Sequence, residues 1–242
     1  MLEFIKIKTR KFFPPKDDFY DLLDKYLPPL KNGDILIITS KVLAIHQGRC
    51  VKKGEGVEKD DLIMQEADYY IPRKKSPQNY LITIKNNLVI ACAGIDGSNT
   101  NGYYVFWPEK MDVLTKEIRN YLKKKYKIKN LAIIIADSHS QLLTLGASGM
   151  AIYFLGLEPI RSYKGKKDVF GRGIKIGQSD VVTPLAAMGV LLMGEGKEQT
   201  PMILARGADF LKFTEKETFS RFIVPPEKDI HSSMFKAFRK SL

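Results

Sequence analysis

Two aspartates of this sequence, Asp96 and Asp137, each come after an apolar run. Asp96 follows residues 88–93 within the segment Gly-Ile-Asp-Gly-Ser-Asn, and Asp137 follows residues 131–136 and precedes Ser138. Because a buried strand holds its backbone rigidly, both carboxylates would emerge from fixed positions. Carboxylate and hydroxyl oxygens are ligands that Mg²⁺ and Mn²⁺ prefer. The pattern therefore predicts a divalent-metal site.

The same two segments also have a plainer interpretation. Asp-Gly-Ser-Asn is a common turn sequence, and an aspartate after a strand often caps the helix that follows. Spacing alone therefore leaves a metal site and a turn or cap role open for both Asp96 and Asp137.

Two other segments could contact a phosphate group. Residues 194–201, Gly-Glu-Gly-Lys-Glu-Gln-Thr-Pro, are rich in glycine, whose backbone can approach a phosphate closely. They lack the Walker pattern, and local evidence favours a glycine turn between a helix and a strand at 202–205. Ser40 and Lys41 follow the apolar run 35–38, which places a hydroxyl and a cation at the end of a predicted strand.

The elements that must position these residues are strands and helices in mixed order. In the first half, the pattern predicts a strand at 2–8, a short helix at 19–26, a strand at 35–38, a helix at 59–70, and a hairpin of 80–84 and 88–93. Asn86 and Asn87 suit the turn of this hairpin, because asparagine tolerates positive φ. Residues 71–77, rich in proline and lysine, predict an exposed and mobile connection.

The second half predicts a helix at 112–125, strands at 131–136 and 150–155, and a helix at 185–192. Together the elements indicate a mixed α/β fold with more strands than a simple alternating pattern gives. The length of 242 residues fits one large domain or two closely joined lobes.

The composition limits the classes of function. Neither a signal peptide nor an apolar stretch long enough to span a membrane is evident, so we expect a cytoplasmic protein without a membrane partner. Cys50 and Cys92 have no neighbouring cysteine or histidine at metal-ligand spacing, which argues against a zinc site or a disulfide framework. Any metal would therefore be held by oxygen ligands.

The net charge of +12 could favour nucleic acid, an anionic membrane surface or a polyanionic small molecule. The densest basic run, residues 123–127, closes a predicted helix, where cations are favoured by the helix dipole. Since no nucleic-acid-binding motif accompanies the charge, nucleic-acid binding is not favoured.

Three separated segments together resemble the coenzyme F420-0:γ-glutamyl ligase family. They are GDILIITSK at 33–41, AGIDGSN at 93–99 followed by Asp137 and Ser138, and GQSDVV at 177–182 leading to LLMGEGKEQTP at 191–201. The resemblance extends from residue 14 to residue 207, and the order and spacing of the motifs make it specific. It implies the family's two-lobed α/β fold and an amide-forming ligase, with the lobes forming one catalytic unit.

The resemblance also implies the reaction and its site. The family binds GTP with Mg²⁺ or Mn²⁺ and joins the amine of L-glutamate to a cofactor carboxylate through an acyl phosphate. Asp96 and Asp137 would be metal ligands and catalytic residues, and Ser138 would support a second metal. Lys41 would neutralise phosphate charge. The remaining nucleotide contacts would come from Ser40, Asn99, Gly194, Gly196 and Lys197. The family also implies a homodimer with the site near its interface.

Several positions depart from the family's pattern. Ala44 and Ile45 stand where a second Ser and Lys are common, Thr144 lies in a segment that tends to be rich in arginine, and Thr183 replaces an acidic residue. These departures keep open a second function, a nucleotide- and metal-binding module with weakened catalysis. Residues 9–18 and 44–49 resemble a bacterial branch thought to extend folate, so we expect a folate-type acceptor in preference to a deazaflavin.

Overall fold

The computed structural model describes residues 1–76 and 78–241. The strands are β1 (Glu3–Ile7), β2 (Asp34–Thr39), β3 (Cys50–Lys52), β4 (Tyr69–Ile71), β5 (Ile82–Lys85), β6 (Leu88–Ala91), β7 (Tyr103–Val105), β8 (Leu131–Ser140), β9 (Ala147–Leu155), β10 (Ile160–Ser162), β11 (Gln178–Asp180), β12 (Met202–Arg206) and β13 (Arg239–Lys240). The α-helices are α1 (Phe19–Tyr26), α2 (Ser40–Gln47), α3 (Lys59–Glu66), α4 (Met111–Tyr126), α5 (Val182–Met193) and α6 (Phe219–Phe222). Short 3₁₀ helices occur at Arg73–Lys75, Cys92–Gly94, Pro226–Lys228 and Ser232–Ala237. The predicted mixed α/β class is confirmed.

The main sheet has five strands in the order β1-β12-β2-β8-β9. β2 and β8 are parallel, and the other neighbours are antiparallel. The two parallel strands are apolar at residues 35–38 and 131–136 because both faces of the sheet are covered there. Leu36 and Ile38 of β2 face a cluster that includes helix α4, whereas Ile35 and Ile37 face the cluster of α5. The sheet therefore separates two cores and holds β2 and β8 rigidly between them.

A smaller sheet of four strands has the order β13-β4-β5-β6. Its β5–β6 hairpin turns at Asn86 and Asn87, both with positive φ, as the sequence predicts. β3 and β7 form a separate antiparallel pair. Within the described parts of the chain, no helix combines the length and apolar character that crossing a membrane requires.

The helix predicted at 59–70 ends earlier, at Glu66. Tyr69 and Tyr70 instead lie in β4, which pairs with β5 on one side and with β13 on the other. The Asp68 amide donates to the Ile84 carbonyl and begins the ladder with β5. In the connection that follows, the Arg73 guanidinium binds the Asp60 carboxylate. Pro77 lies outside the described residues.

The lysine run at 123–127 lies at the end of α4, as predicted. Lys123, Lys124 and Lys125 are in its last turn, where they complement the negative end of the helix dipole. Lys123 pairs with Glu215 at 3.0 Å, and Lys125 pairs with Asp24 at 2.6 Å. The helix end and these partners account for the run.

A buried ion pair ties β12 to the start of β2. The Asp34 carboxylate, 1% exposed, accepts hydrogen bonds from Arg206 at 2.7 and 2.9 Å and from the Lys31 amide at 2.7 Å. Replacing Arg206 by methionine would leave a buried carboxylate without its cation. We expect the free energy of unfolding to fall by about 3 kcal/mol in urea denaturation.

Arg221→Met is the matched control, because Arg221 pairs with Glu158 at 3.2 Å on the surface. Loss of this surface ion pair should change the free energy of unfolding by less than about 1 kcal/mol. Equal effects of the two substitutions would contradict the assignment of Asp34 as a buried charge.

Candidate active site

Asp137 and Ser138 lie within strand β8 and not after its end. β8 continues to Ser140 because it pairs with β9, where Asp137 is opposite Met150 and Ser138 is opposite Gly149. The expected strand end at residue 136 was wrong. The apolar run stops where β8 leaves the core, but the backbone pairing with β9 continues beyond that point. A register shift between Ile135 and Ala136 accompanies this change of environment.

The Asp137 carboxylate is held by two donors. The Trp107 indole N–H donates to Oδ2, and the Ser138 amide donates to Oδ1 at 2.9 Å. Burial of the carboxyl group raises the pKa of Asp137 to about 6, although these hydrogen bonds and Lys41 act in the opposite direction. The nearby Asp96 charge raises this pKa further. Asp96 and Lys41 therefore lie close enough to act electrostatically on Asp137.

Asp96 is positioned differently from the sequence expectation. The 3₁₀ helix Cys92–Gly94 separates it from β6, so it does not directly follow a strand. Its backbone instead pairs with Val105 through hydrogen bonds of 3.0 and 2.9 Å. This isolated bridge joins Asp96 to the last residue of β7 and fixes the aspartate backbone.

The Asp96 carboxylate accepts hydrogen bonds from the Ser98 amide at 2.7 Å and the Ser98 hydroxyl at 2.9 Å. The Lys41 ammonium forms an ion pair with it at 2.5 Å. Burial would raise the pKa of Asp96, but the Lys41 charge and these hydrogen bonds together hold it below its ordinary value. Asp96 is therefore ionised in the pH range in which Asp137 titrates.

Ser40 and Lys41 form the first turn of α2, directly after β2. Ser40 is buried, and Lys41 extends toward the aspartates and also donates to the Ser98 carbonyl at 3.1 Å. The end of a central strand thus delivers a cation to the AGIDGSN segment, as the position of Ser40 and Lys41 in the sequence suggests.

Asn99 brings the glycine-rich segment to the same region. Its side-chain amide donates to the Gly196 carbonyl at 2.9 Å, across 97 residues of sequence. Gly194 ends α5 with φ of 77°, and the Gly196 amide donates to the Glu198 carboxylate at 2.8 Å. Lys197 is exposed, and no hydrogen bond or ion pair of its side chain is found among the described residues. The structure thus joins four of the predicted segments and leaves Lys197 at the surface.

The oxygen atoms at this site suit a hard divalent cation that takes only a few of its ligands from the protein. Within residues 1–76 and 78–241, no group of three or more His, Cys, Asp or Glu side chains could hold a metal. The oxygen ligands available at the candidate site are the carboxylates of Asp96 and Asp137 and the hydroxyl of Ser138. Mg²⁺ is commonly bound by one or two carboxylates together with substrate phosphates, so Asp96 and Asp137 fit such an ion when a nucleotide supplies the other oxygens.

Sequence reasoning missed two side chains of this region. Trp107 binds Asp137 across 30 residues of sequence, and the Lys53 ammonium donates to the Gly97 carbonyl at 2.7 Å. No local pattern connects either residue with its partner. The only available signal for Trp107 was that it is the single tryptophan of the chain.

The departures from the family's pattern lie in different local environments. Ala44 and Ile45 are buried against Val105, so the core occupies this face of α2. Thr144 lies in an exposed loop. Near Thr183, the acidic residue is Asp180, whose carboxylate accepts hydrogen bonds from the first amides of α5 at 2.8 and 3.1 Å.

A cavity of about 730 Å³ lies on another side of Trp107. Its wall includes Arg49, Lys85, Tyr153 and Phe219, but none of Asp96, Asp137 or Lys41. The cavity therefore adjoins the candidate site through the indole without containing its charged groups.

Gly94 makes room for Trp107. A Cβ at this position would overlap the indole, and the φ of +73° is unfavourable for other residues. Gly94→Ala should lower the free energy of unfolding by about 3 kcal/mol in chemical denaturation, because steric overlap adds to backbone strain.

Gly102→Ala is the control that measures the effect of backbone strain without steric overlap. Gly102 has φ of +85° but open space around a Cβ, so its substitution should lower stability by only about 1 kcal/mol. If Gly94→Ala were no more destabilising than Gly102→Ala, the close packing against Trp107 would be refuted.

Comparison with known proteins agrees with this architecture. The family model of F420-0:γ-glutamyl ligase matches residues 7–207. The chain is 26% identical over 241 residues to coenzyme F420:L-glutamate ligase of Methanosarcina barkeri, covering 93% of this chain and 92% of that protein. It is 30% identical over 206 residues to the protein of the same name from Methanocaldococcus jannaschii, covering 78% and 80%.

Fold and site define a mixed α/β protein in which a lysine pairs with one aspartate and both lie within electrostatic reach of a second aspartate. The chain belongs to the F420-0:γ-glutamyl ligase family. It is accordingly an enzyme of the amide-forming ligase class.

Proposed function

We propose that this enzyme joins the amine of L-glutamate to a carboxylate of an F420-type acceptor, with GTP and Mg²⁺ or Mn²⁺. The observation that carries the proposal is the convergence of Asp96, Asp137 and Lys41 in a chain similar to coenzyme F420:L-glutamate ligases. The positive net charge of +12 is consistent with substrates that are all anions.

An amide does not form readily from a free carboxylate and an amine in water, so the carboxylate must first be activated. In the proposed route, an acceptor carboxylate oxygen bonds to the γ-phosphorus of GTP and GDP leaves. The glutamate nitrogen then attacks the acyl carbon, phosphate leaves, and the amine loses its proton. Each turnover thus converts one GTP to GDP and phosphate and forms one amide.

Asp96 and Asp137 would hold the metal ion, with Ser138 beside them. When bound, a divalent ion neutralises phosphate charge that accumulates during phosphoryl transfer. Lys41 contributes a second positive charge from the start of α2, and its contacts with Asp96 and Ser98 keep its ammonium at the site.

The nucleotide would contact Ser40, Asn99 and the glycine turn containing Gly194 and Gly196. Asn99 already fixes this turn through the Gly196 carbonyl, and glycine leaves the backbone open to close approach. Lys197, exposed on the same turn, would reach toward phosphate from solvent. These contacts position GTP and do not themselves react.

A folate-type acceptor is the second candidate. Residues 44–49 belong to the stretch that resembles the bacterial branch, and their Arg49 lines the cavity of about 730 Å³ beside the aromatic Trp107 and Tyr153. Such a wall suits a planar ring system that carries carboxylates. Folate ends in a glutamate whose γ-carboxylate could undergo the same activation.

Incubation with GTP, Mn²⁺, glutamate and a panel of deazaflavin and folate acceptors tests the proposal. Mass spectrometry should reveal an acceptor that has gained one glutamyl residue, with matching formation of GDP. Nucleotide binding without any glutamylated product across the panel would instead support the alternative, a binding module that has lost transfer.

We also propose a homodimer. Several large apolar side chains are exposed in the loop after β8 and in the segment between β10 and β11, namely Leu143, Leu145, Val169, Phe170 and Ile176. A second copy of the chain would cover such surface. Light scattering at micromolar concentration should give the mass of a dimer, and a monomer throughout the range would contradict this proposal.

A further inference from the structure

The Trp107 side chain connects the two segments that carry the candidate metal ligands. The residue is 1% exposed, so its indole N–H needs a protein partner, and Asp137 Oδ2 provides it. Val105, two residues earlier, pairs with the backbone of Asp96. The strand that holds one aspartate thus leads directly to the side chain that contacts the other.

The indole is also fixed sterically. Gly94 lies so close to the indole nitrogen that a Cβ would overlap it. On the ring face, the Lys85 ammonium lies 5.8 Å from the ring centroid. The N–H is therefore directed at Asp137 by contacts that involve neither the nucleotide nor the metal.

We propose that Trp107 is a positioning residue that orients the Asp137 carboxylate for a divalent metal ion through its indole N–H. This inference rests on the proposed function. Trp107 holds Oδ2 and the Ser138 amide holds Oδ1, so the plane of the carboxylate is fixed while each oxygen keeps a free lone pair for a metal. Donors of this kind fix the orientation of metal ligands, and their loss typically weakens metal binding by 10- to 100-fold.

The competing explanation is that Trp107 only fills space between Gly94 and the cavity. Benzothienylalanine separates the two roles, because it keeps the bicyclic shape and replaces the N–H by sulfur. Incorporated at position 107, it should weaken Mn²⁺ binding about tenfold, measured by electron paramagnetic resonance of free Mn²⁺. Trp107→Phe should weaken binding at least as much. A space-filling role predicts unchanged affinity for the benzothienylalanine protein.

Tryptophan fluorescence gives a second measurement in the unmodified enzyme. Trp107 is the single tryptophan, so quenching by paramagnetic Mn²⁺ reports an ion beside it. Quenching should saturate with the affinity found by resonance and should be lost in Asp137→Asn. In the exposed control Asp61→Asn it should persist.

The outcomes separate this inference from the proposed function. Tight Mn²⁺ binding by both the natural and the benzothienylalanine proteins would overturn the positioning role and leave the metal site intact. Failure of the natural protein to bind Mn²⁺, even with GTP present, would overturn the proposed metal-dependent function itself and the positioning role with it.

Discussion

Asp137→Asn should abolish glutamate ligation while making the metal-free protein more stable. An amide is a much poorer ligand than a carboxylate for a hard dication, so the charge needed during phosphoryl transfer would no longer be neutralised. In the metal-free protein the substitution removes a carboxyl group that burial destabilises in its ionised form. We expect turnover to fall by at least about a hundredfold, which is the lower end of the losses seen when a single electrostatic group is removed.

The stability change has a defined dependence on pH. The pKa of Asp137 is about 6 in the folded protein, above the ordinary value of 3.8. Below pH 3.8 the carboxyl is protonated in both states, and between 3.8 and 6 the unfolded chain ionises first, so stability falls as pH rises. The asparagine variant has no carboxyl group to ionise at this position, so its stability should not fall in this way as the pH rises. Its stability should exceed that of the natural protein by up to about 3 kcal/mol above pH 6, measured by urea denaturation with chelator.

Asp24→Asn is a control for which the expected change in stability has the opposite sign. Hydrogen bonding from Lys125 and Tyr121 lowers the pKa of Asp24, so its loss should lower stability slightly at neutral pH and leave ligation unchanged. A cap or turn role for Asp137 makes different predictions. If Asp137→Asn lowered metal-free stability and retained ligation, the two-carboxylate site would be wrong.

Asp96→Asn should remove metal-dependent GTP binding and leave the fold in place. The backbone bridge to Val105 does not depend on the side chain, and asparagine can still accept from the Ser98 amide. The ion pair with Lys41 and the contact of the Ser98 hydroxyl with the second carboxylate oxygen are lost. Because the Asp96 side chain is 43% exposed, this should change stability by less than about 1 kcal/mol. Removal of one of two metal-binding carboxylates should weaken GTP binding in Mg²⁺ by at least tenfold, measured by calorimetry.

The control for Asp96→Asn is Asp61→Asn, an exposed aspartate in the first turn of α3. It should bind GTP as the natural protein does. A turn-only role for Asp96 would give two variants with equal, unchanged affinity, and that result would remove Asp96 from the proposed metal site.

The sequence was sufficient to predict the parts of the fold that burial controls. The apolar runs at 35–38 and 131–136 became the two central parallel strands, and Asn86 and Asn87 formed the predicted turn. Element ends were less predictable. β8 continues through Asp137 because β9 pairs with it, and α3 stops at Glu66 because the next residues pair with β5. Both depend on a partner strand that local composition does not reveal.

The candidate site could likewise be predicted from the sequence only in part. The types of Asp96, Asp137 and Lys41, and their places after apolar runs, were sufficient to nominate them. Their relative arrangement was not predictable, since it requires the contact of Asn99 with Gly196 and that of Trp107 with Asp137, each between distant parts of the sequence. Side chains that position other side chains leave no periodic signal, which is why Trp107 was missed.

The central claim is that the enzyme forms an amide by phosphoryl activation of an acceptor carboxylate. One incubation with GTP, Mn²⁺, glutamate and an acceptor labelled with oxygen-18 in that carboxylate tests it, with mass spectrometry of both the acceptor and the released phosphate. We predict an acceptor that carries an added glutamyl residue and phosphate that has gained labelled oxygen in equal amount. Glutamylated acceptor with unlabelled phosphate would contradict the activation step, and an unmodified acceptor of every class, with intact GTP, would contradict the claim as a whole.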